Sequence, residues 1–213
     1  YCSGDNEVFL NLEEIKQYLE KWLMEEAGLE VSSEKTHILN SAEGFDFLGF
    51  HMISVNYQNR WKFLTKVSRK SKANHIKQLR NIVQKYKGGS SAQLIMKLNP
   101  VIRGWCNYYR TCQSTDDFNQ MEYMLFGQIR AWVFRRKSKG LRSRTSIKLK
   151  YFPEKYTIKF DGVEHSSDWI LVGQKVSRRG VKENIHLIRH SWVLVRNHVK
   201  VQGDASPYNG DHI

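Results

Sequence analysis

Nucleotidyl transfer through two metal ions needs carboxylates close enough to share the cations. Asp116-Asp117, in STDDFNQ, is the only adjacent pair of aspartates in the sequence. It precedes an apolar-periodic run, where acids satisfy free amides and favour the helix dipole. The pair therefore reads as a helix start, with Ser114 and Asp117 as the cap. Asp5 and Glu7 have no partner at useful spacing. His186, His190 and His198 lie in HLIRHSWVLVRNH, and four-residue spacing could ligate zinc on a helix. Trp192, Val193 and Val195 favour a strand there instead, and no neighbouring cysteine completes a ligand set. Cys2, Cys106 and Cys112 form no CxxC pair, and Cys106 and Cys112 sit in an apolar-periodic stretch as small core residues. A reducing, intracellular setting follows. There is no Walker-type phosphate loop and no GxSxG elbow. The expectation is no metal, no cofactor and no catalytic residue in this chain.

The chemistry that the residues do suggest is binding. Backbone phosphates attract Lys and Arg, and unpaired bases stack on aromatic or guanidinium planes. The run VIRGWCNYYR supplies Arg103, Trp105, Tyr108, Tyr109 and Arg110. Trp105 reads as core. Arg103 and Arg110, seven apart on one helical face, are harder to bury and read as nucleic-acid contacts, as does Tyr108. Net charge is +13, but it is unevenly spread. Residues 1–59 carry three Lys/Arg against eleven Asp/Glu, residues 60–160 twenty-four against four, and residues 161–213 seven against six. A positive block of this kind repels itself, and a polyanion relieves the repulsion. The further candidates are Lys70, Lys72, Lys77, Arg80 and Arg130, then Arg135, Arg136, Lys137, Arg142, Arg144, Lys148 and Lys150 in the stretch 135–150, which has eight Lys/Arg and no acid. With a mean hydropathy of −0.57 and no apolar run of membrane length, no membrane association is expected.

Those side chains must be positioned by a mixed α+β fold. Leu12, Ile15, Leu19, Trp22, Leu23 and Ala27 recur at helical spacing, so a helix is predicted over 11–27, started by an Asn11/Glu14 capping box and stopped at Gly28. GLEVSSEKTHIL leans towards strand. GFDFLGFHMISV and WKFLTKV alternate with period two across NYQNR, which predicts a β-hairpin. Next come helical stripes: Ile76, Leu79, Val83 and Tyr86, closed at Gly88-Gly89; then Leu94 to Cys112, restarted at Ser90 or Ser91 and broken by Pro100 into a short and a longer helix; then Phe118, Met121, Leu125, Ile129, Trp132 and Val133. The basic 135–150 stretch is expected to fray and continue as a loop. KYTIKF, DWILVG and HSWVLVRNHVKV predict a β-rich end.

Four of these blocks resemble, in order, the group II intron-encoded reverse transcriptases. GLEVSSEKTHIL followed by GFDFLGF is similar to their last two palm blocks. LNPVIRGWCNYYR resembles the signature of their thumb, called the maturase domain or domain X. KYFP and HVKVQGDASPYNGD resemble the DNA-binding region that precedes an HNH endonuclease in many members. The resemblance covers nearly the whole chain. It implies a palm remnant of helix plus β-hairpin over 1–68, a helical thumb bundle over 69–137, and a basic linker with a small β-rich DNA/RNA-binding module over 138–213. The family's Tyr-Ala-Asp-Asp block would lie just upstream of Tyr1, its third metal-binding Asp is absent here, and the HNH residues would lie beyond Ile213. The expectation is thus a segment of a larger enzyme whose magnesium belongs to the parent polymerase; opening on Tyr1 agrees with that. Lys35, in EKT, matches a palm lysine that neutralises charge near the incoming nucleotide. The resemblance implies group II intron RNA as the partner, bound so as to assist folding and splicing, with target DNA as a second. A separate chain carrying fingers and catalytic palm would be a third, and this chain would then complete an RNA-directed DNA polymerase. A bacterial cytoplasm or an organelle is the implied location.

Overall fold

The computed structural model describes residues 6–34, 36–136, 143–177 and 180–196, with the backbone alone for 6–11. They divide into two units, one of residues 1–45 and 52–63, the other of 46–51 and 64–213. In the first, α1 (Asn6–Ala27) begins before Asn11, so the capping box expected at Asn11 and Glu14 lies inside the helix and is not its start. The predicted stop is present: Gly28, at φ +62, donates its amide to the Met24 carbonyl at 3.1 Å. The following GLEVSSEKTHIL run forms no strand among the described residues. Thr36 instead donates its hydroxyl to the Ser32 carbonyl at 2.9 Å, a local bond of the kind that competes with a strand ladder.

Strands β1 (Phe45–Phe47), β2 (Phe50–Tyr57) and β3 (Arg60–Val67) pair in that order. The predicted hairpin joins β2 and β3 through Gln58 and Asn59, both at positive φ, as a two-residue hairpin loop of this hand requires. The alternation read through GFDFLGFHMISV is not one strand, because the chain reverses at Leu48-Gly49, also at positive φ. Gly49 is needed twice over: a Cβ there would lie 2.5 Å from the Tyr109 hydroxyl.

The second unit is built on three helices. In α2 (Arg69–Lys85), Ser68 caps the start by accepting from the Ser71 amide at 3.2 Å, and His75, Ile76, Leu79 and Val83 are buried. Ser90, with Gln93, makes a complete capping box for α3 (Ser91–Tyr109). Pro100 does not split this helix as expected. Pro100 and Met96 are both exposed, so the carbonyl left without a donor is on the wet side, while Leu94, Ile95, Leu98 and Ile102 keep one buried face through the proline. The adjacent Asn99 also fixes the helix, donating to the His186 carbonyl at 2.9 Å and accepting from the Ile188 amide at 3.1 Å. In α4 (Thr115–Phe134) every residue of the predicted stripe is buried. Its cap differs from expectation: the Ser114 hydroxyl donates to the Tyr109 carbonyl at 2.9 Å and makes no capping bond.

Beyond α4 the expected loop is in part α5 (Arg144–Tyr151), capped by Ser143 and anchored by buried Ile147 and Tyr151 one turn apart. Two hairpins follow: β4 (Tyr156–Phe160) with β5 (Val163–Ser167), and β6 (Val172–Val176) with β7 (Lys182–His186). The strand predicted over HSWVLVRNHVKV is absent among its described residues; His190–Trp192 is a 3₁₀ turn. His190, Trp192 and Val193 are all buried, which the alternation of a half-buried strand forbids. This turn packs on α3 and α4, and β6 packs on α3 so closely that a Cβ on Gly173 would lie 2.5 Å from the Ala92 amide nitrogen. Helices and β-rich end thus share one core, in which Leu79, Ile102, Phe118, Phe152, Leu171 and Trp192 are joined. Among the described residues no helix is long and apolar enough to cross a membrane.

Candidate nucleic-acid interface

On α2 the buried face leaves Lys70, Lys77 and Gln84 on the opposite side in one line, since seven residues nearly complete two turns. Arg80 flanks that line, and all four are exposed. Arg80 and Gln84 lead into a groove of about 560 Å³ between α2 and α4. Its other polar walls are Lys87, Gln128, Arg135 and Arg136. The packing of the two helices therefore brings together cations that are 55 positions apart in the chain, from Arg80 to Arg135.

These cations have different jobs. Arg136 lies with its guanidinium 3.6 Å above the Trp132 ring. It donates to the Lys87 carbonyl at 2.9 Å and to the Gly89 carbonyl, while Trp132 Nε1 donates to the Tyr86 carbonyl at 3.0 Å. Together they close the C-terminal end of α2, where free carbonyls and the dipole favour a cation. Arg80, Lys87 and Arg135 are exposed, and their side chains have no ion-pair or hydrogen-bond partner among the described residues. Three exposed cations beside a floor held by the bonds of Arg136 and Trp132 can track a phosphate backbone, each neutralising one phosphate.

The other predicted contacts are dispersed. Lys72 is half-buried, its ammonium 2.7 Å from the Asp117 carboxylate. That pair accounts for Asp117, so the Asp116-Asp117 doublet is a helix start tied to α2. Arg103 is exposed, 5.4 Å over the Phe160 ring. Arg110, seven residues on, is half-buried, and its carbonyl accepts from the Arg196 amide at 2.7 Å. Tyr108 is held by the β1–β2 turn, donating to the Leu48 carbonyl at 2.9 Å and stacking on Phe50 with centroids 5.2 Å apart. Trp105 is partly buried between His75 and Phe118, in agreement with a core role. Arg144 and Lys150 are exposed, over Phe134 and Tyr151 respectively, and the half-buried Lys148 lies 4.7 Å over the Trp169 ring. Arg130 is exposed on α4. Lys35, Lys137 and Arg142 lie outside the described residues, as do Cys2 and His198.

Sequence reasoning missed Lys87, Gln84 and Gln128 as groove walls; the only signal was a lysine set directly before Gly88-Gly89. It also missed how the histidines are used. His190 is fully buried and its Nε2 meets His75 Nε2 at 2.9 Å. Desolvation lowers His190 to about 3 and His75 to about 4, so both are neutral. Burial also pushes the Cys106 thiol up to about 12 and Cys112 up to about 11, which removes them as nucleophiles at neutral pH. Among the described residues no group of three His, Cys, Asp or Glu could hold a metal ion.

Residues 72–152, which hold α2 from Lys72 on, α3 to α5 and both sides of the groove, match the family model described as the group II intron, maturase-specific domain. No curated protein matches the chain.

Proposed function

We propose that this chain, whose residues 72–152 match the model of the group II intron, maturase-specific domain, assists splicing by gripping intron RNA through the basic groove between α2 and α4. The observation that supports this reading is the convergence on one groove of Arg80, Lys87 and Arg135, all exposed and without a bonded partner among the described residues. Binding that favours one fold of the RNA shifts its folding equilibrium without any covalent chemistry in the protein. The ribozyme then supplies the reaction, and the protein needs phosphate contacts, not carboxylates and metals.

The test is intron RNA binding measured across a salt series. With several phosphates neutralised, log affinity falls linearly with log salt, by about 0.7–0.9 for each contact. Affinity that stays flat between low and moderate salt sinks the reading.

A second reading draws on α1. Ile15, Leu19 and Trp22, at 39%, 49% and 48% exposure, lie on one helical face. An apolar face of that kind suits docking to a polypeptide that carries the fingers and the catalytic palm of a polymerase. Mixing the two chains would then restore primer extension on RNA, and Trp22→Glu would abolish the restoration. Extension that is indifferent to Trp22→Glu discards this docking face.

A further inference from the structure

We infer that a second cleft, between α4 and the segments 167–171 and 187–190, receives one unpaired base of a single-stranded RNA. The inference rests on the RNA-binding reading above but uses a different set of residues. The cleft has a volume of about 570 Å³, within the roughly 300–1,000 Å³ of small-molecule sites. Its floor is apolar: Ile170, Leu171 and Ile188 are buried. Along α4 its wall is the stripe Asn119, Tyr123, Phe126 and Arg130, spaced four, three and four residues apart and so on one face.

Each part of that stripe suits a different part of a nucleotide. Tyr123 is 77% exposed and stacks on no other ring among the described residues, which leaves a free aromatic plane at the mouth. Trp169, opposite, is fixed: Phe126 meets it edge-on at 5.6 Å and the Lys148 ammonium lies 4.7 Å over its ring. Arg189 is engaged by Glu122 at 3.3 Å and by the Ser167 hydroxyl at 2.9 Å, so it builds the wall and its charge is balanced. Arg130 is exposed with no bonded partner among the described residues, two turns from Tyr123, in reach of a phosphate next to the stacked base. Asn119, one turn to the other side, offers an amide to the base edge. A base pair inside a duplex offers its neighbours, not the protein, its π-face. A polyanion alone would have no use for an apolar floor. The combination of free aromatic plane, apolar floor and single rim cation therefore selects a splayed-out base.

The experiment compares the affinity of the intact chain for a labelled single-stranded RNA decamer and for a ten-base-pair RNA duplex at one salt concentration. Tyr123→Ala is expected to weaken single-strand binding about tenfold and to leave duplex binding within about twofold; Tyr123→Phe, which keeps the ring, retains wild-type affinity for both. Tyr123 is exposed, so an unchanged melting temperature accompanies both variants. Equal affinity of wild type and Tyr123→Ala for the single strand overturns the pocket while the groove reading stands; so does an equal loss on both RNAs. A cleft that takes an apolar peptide side chain instead gives that same indifference to Tyr123→Ala. A wild-type chain that binds neither RNA overturns both inferences together.

Discussion

Nε2 of His75 and Nε2 of His190 are 2.9 Å apart although 115 positions separate the residues, and both imidazoles are buried. With both rings neutral, one Nε2 donates and the other accepts, so the two rings hold opposite tautomers. A proton added to the accepting ring makes both Nε2 atoms donors and breaks the bond, while one added at Nδ1 of the donating ring keeps the bond but puts a charge in a buried site. Burial holds His75 near 4 and, with His75 close by, His190 near 3, against an ordinary value of 6.5. The unfolded chain therefore binds more protons than the folded one once pH falls below about 6.5. Stability contributed by the pair is complete above that value and is lost as pH falls towards 4. A loss of about 4 kcal/mol by pH 5, about 2 from each ring, is expected, read as a falling urea midpoint between pH 7.5 and pH 5. His190→Phe should remove about half of the slope. A midpoint that does not move with pH would show that the pair is not neutral in the folded chain.

Arg136 and Lys are not interchangeable at the end of α2. The guanidinium is at once stacked on Trp132 at 3.6 Å and bonded to two carbonyls, those of Lys87 and Gly89. A lysine is a point charge and cannot do both. Arg136→Lys is expected to cost about 1–2 kcal/mol of stability, seen as a lower melting temperature with a single cooperative transition retained. Arg135→Lys, next to it and exposed, should change stability by no more than about 0.5 kcal/mol.

The stripes of α2, α3 and α4 were legible because the same residues that repeat every three to four positions are the ones that pack: Ile76, Leu79 and Val83, or Met121, Leu125 and Ile129. The β2–β3 hairpin was legible from the alternation on both sides of the polar NYQNR run; the positive φ of Gln58 and Asn59 was not. Pro100 misled because its cost depends on which side of the helix meets water, a matter of tertiary placement. The HSWVLVRNH run misled because its burial comes from α3 and α4, not from a neighbouring strand. The candidate site divides in the same way. Its positive charge could be read from composition alone. Which cations are free could not, since Lys72 meets Asp117 across 45 positions and Arg136 meets Lys87 across 49. Periodicity carries no information at that separation.

Lys72 illustrates the distinction and can be tested by itself. Its ammonium and the Asp117 carboxylate have side-chain exposures of 25% and 13%, so water screens the pair incompletely. Asp117 also sits in the first turn of α4, where the dipole favours its charge. Lys72→Met removes one partner and leaves a partly buried carboxylate, at an expected cost of about 1–3 kcal/mol. RNA affinity should fall by no more than about twofold if the ammonium is already fully engaged. A large loss of affinity with unchanged stability would mean that Lys72 reaches RNA after all.

The groove itself makes the strongest quantitative prediction. Arg80, Lys87 and Arg135 have no bonded partner in the protein among the described residues, so replacing all three with Ala removes no protein contact of theirs, and the melting temperature should hold within a few degrees. If each neutralises one phosphate, the triple variant releases three fewer counterions, and the slope of log affinity against log salt should shrink by about 2. The loss of affinity should then be large at low salt and small at high salt, because the two lines converge. Arg136 provides the internal contrast: its charge is fixed by carbonyls, so its removal should lower stability while the slope changes by less than one contact. A triple variant with an unchanged slope would place the RNA elsewhere on the protein, whatever its affinity at any one salt concentration.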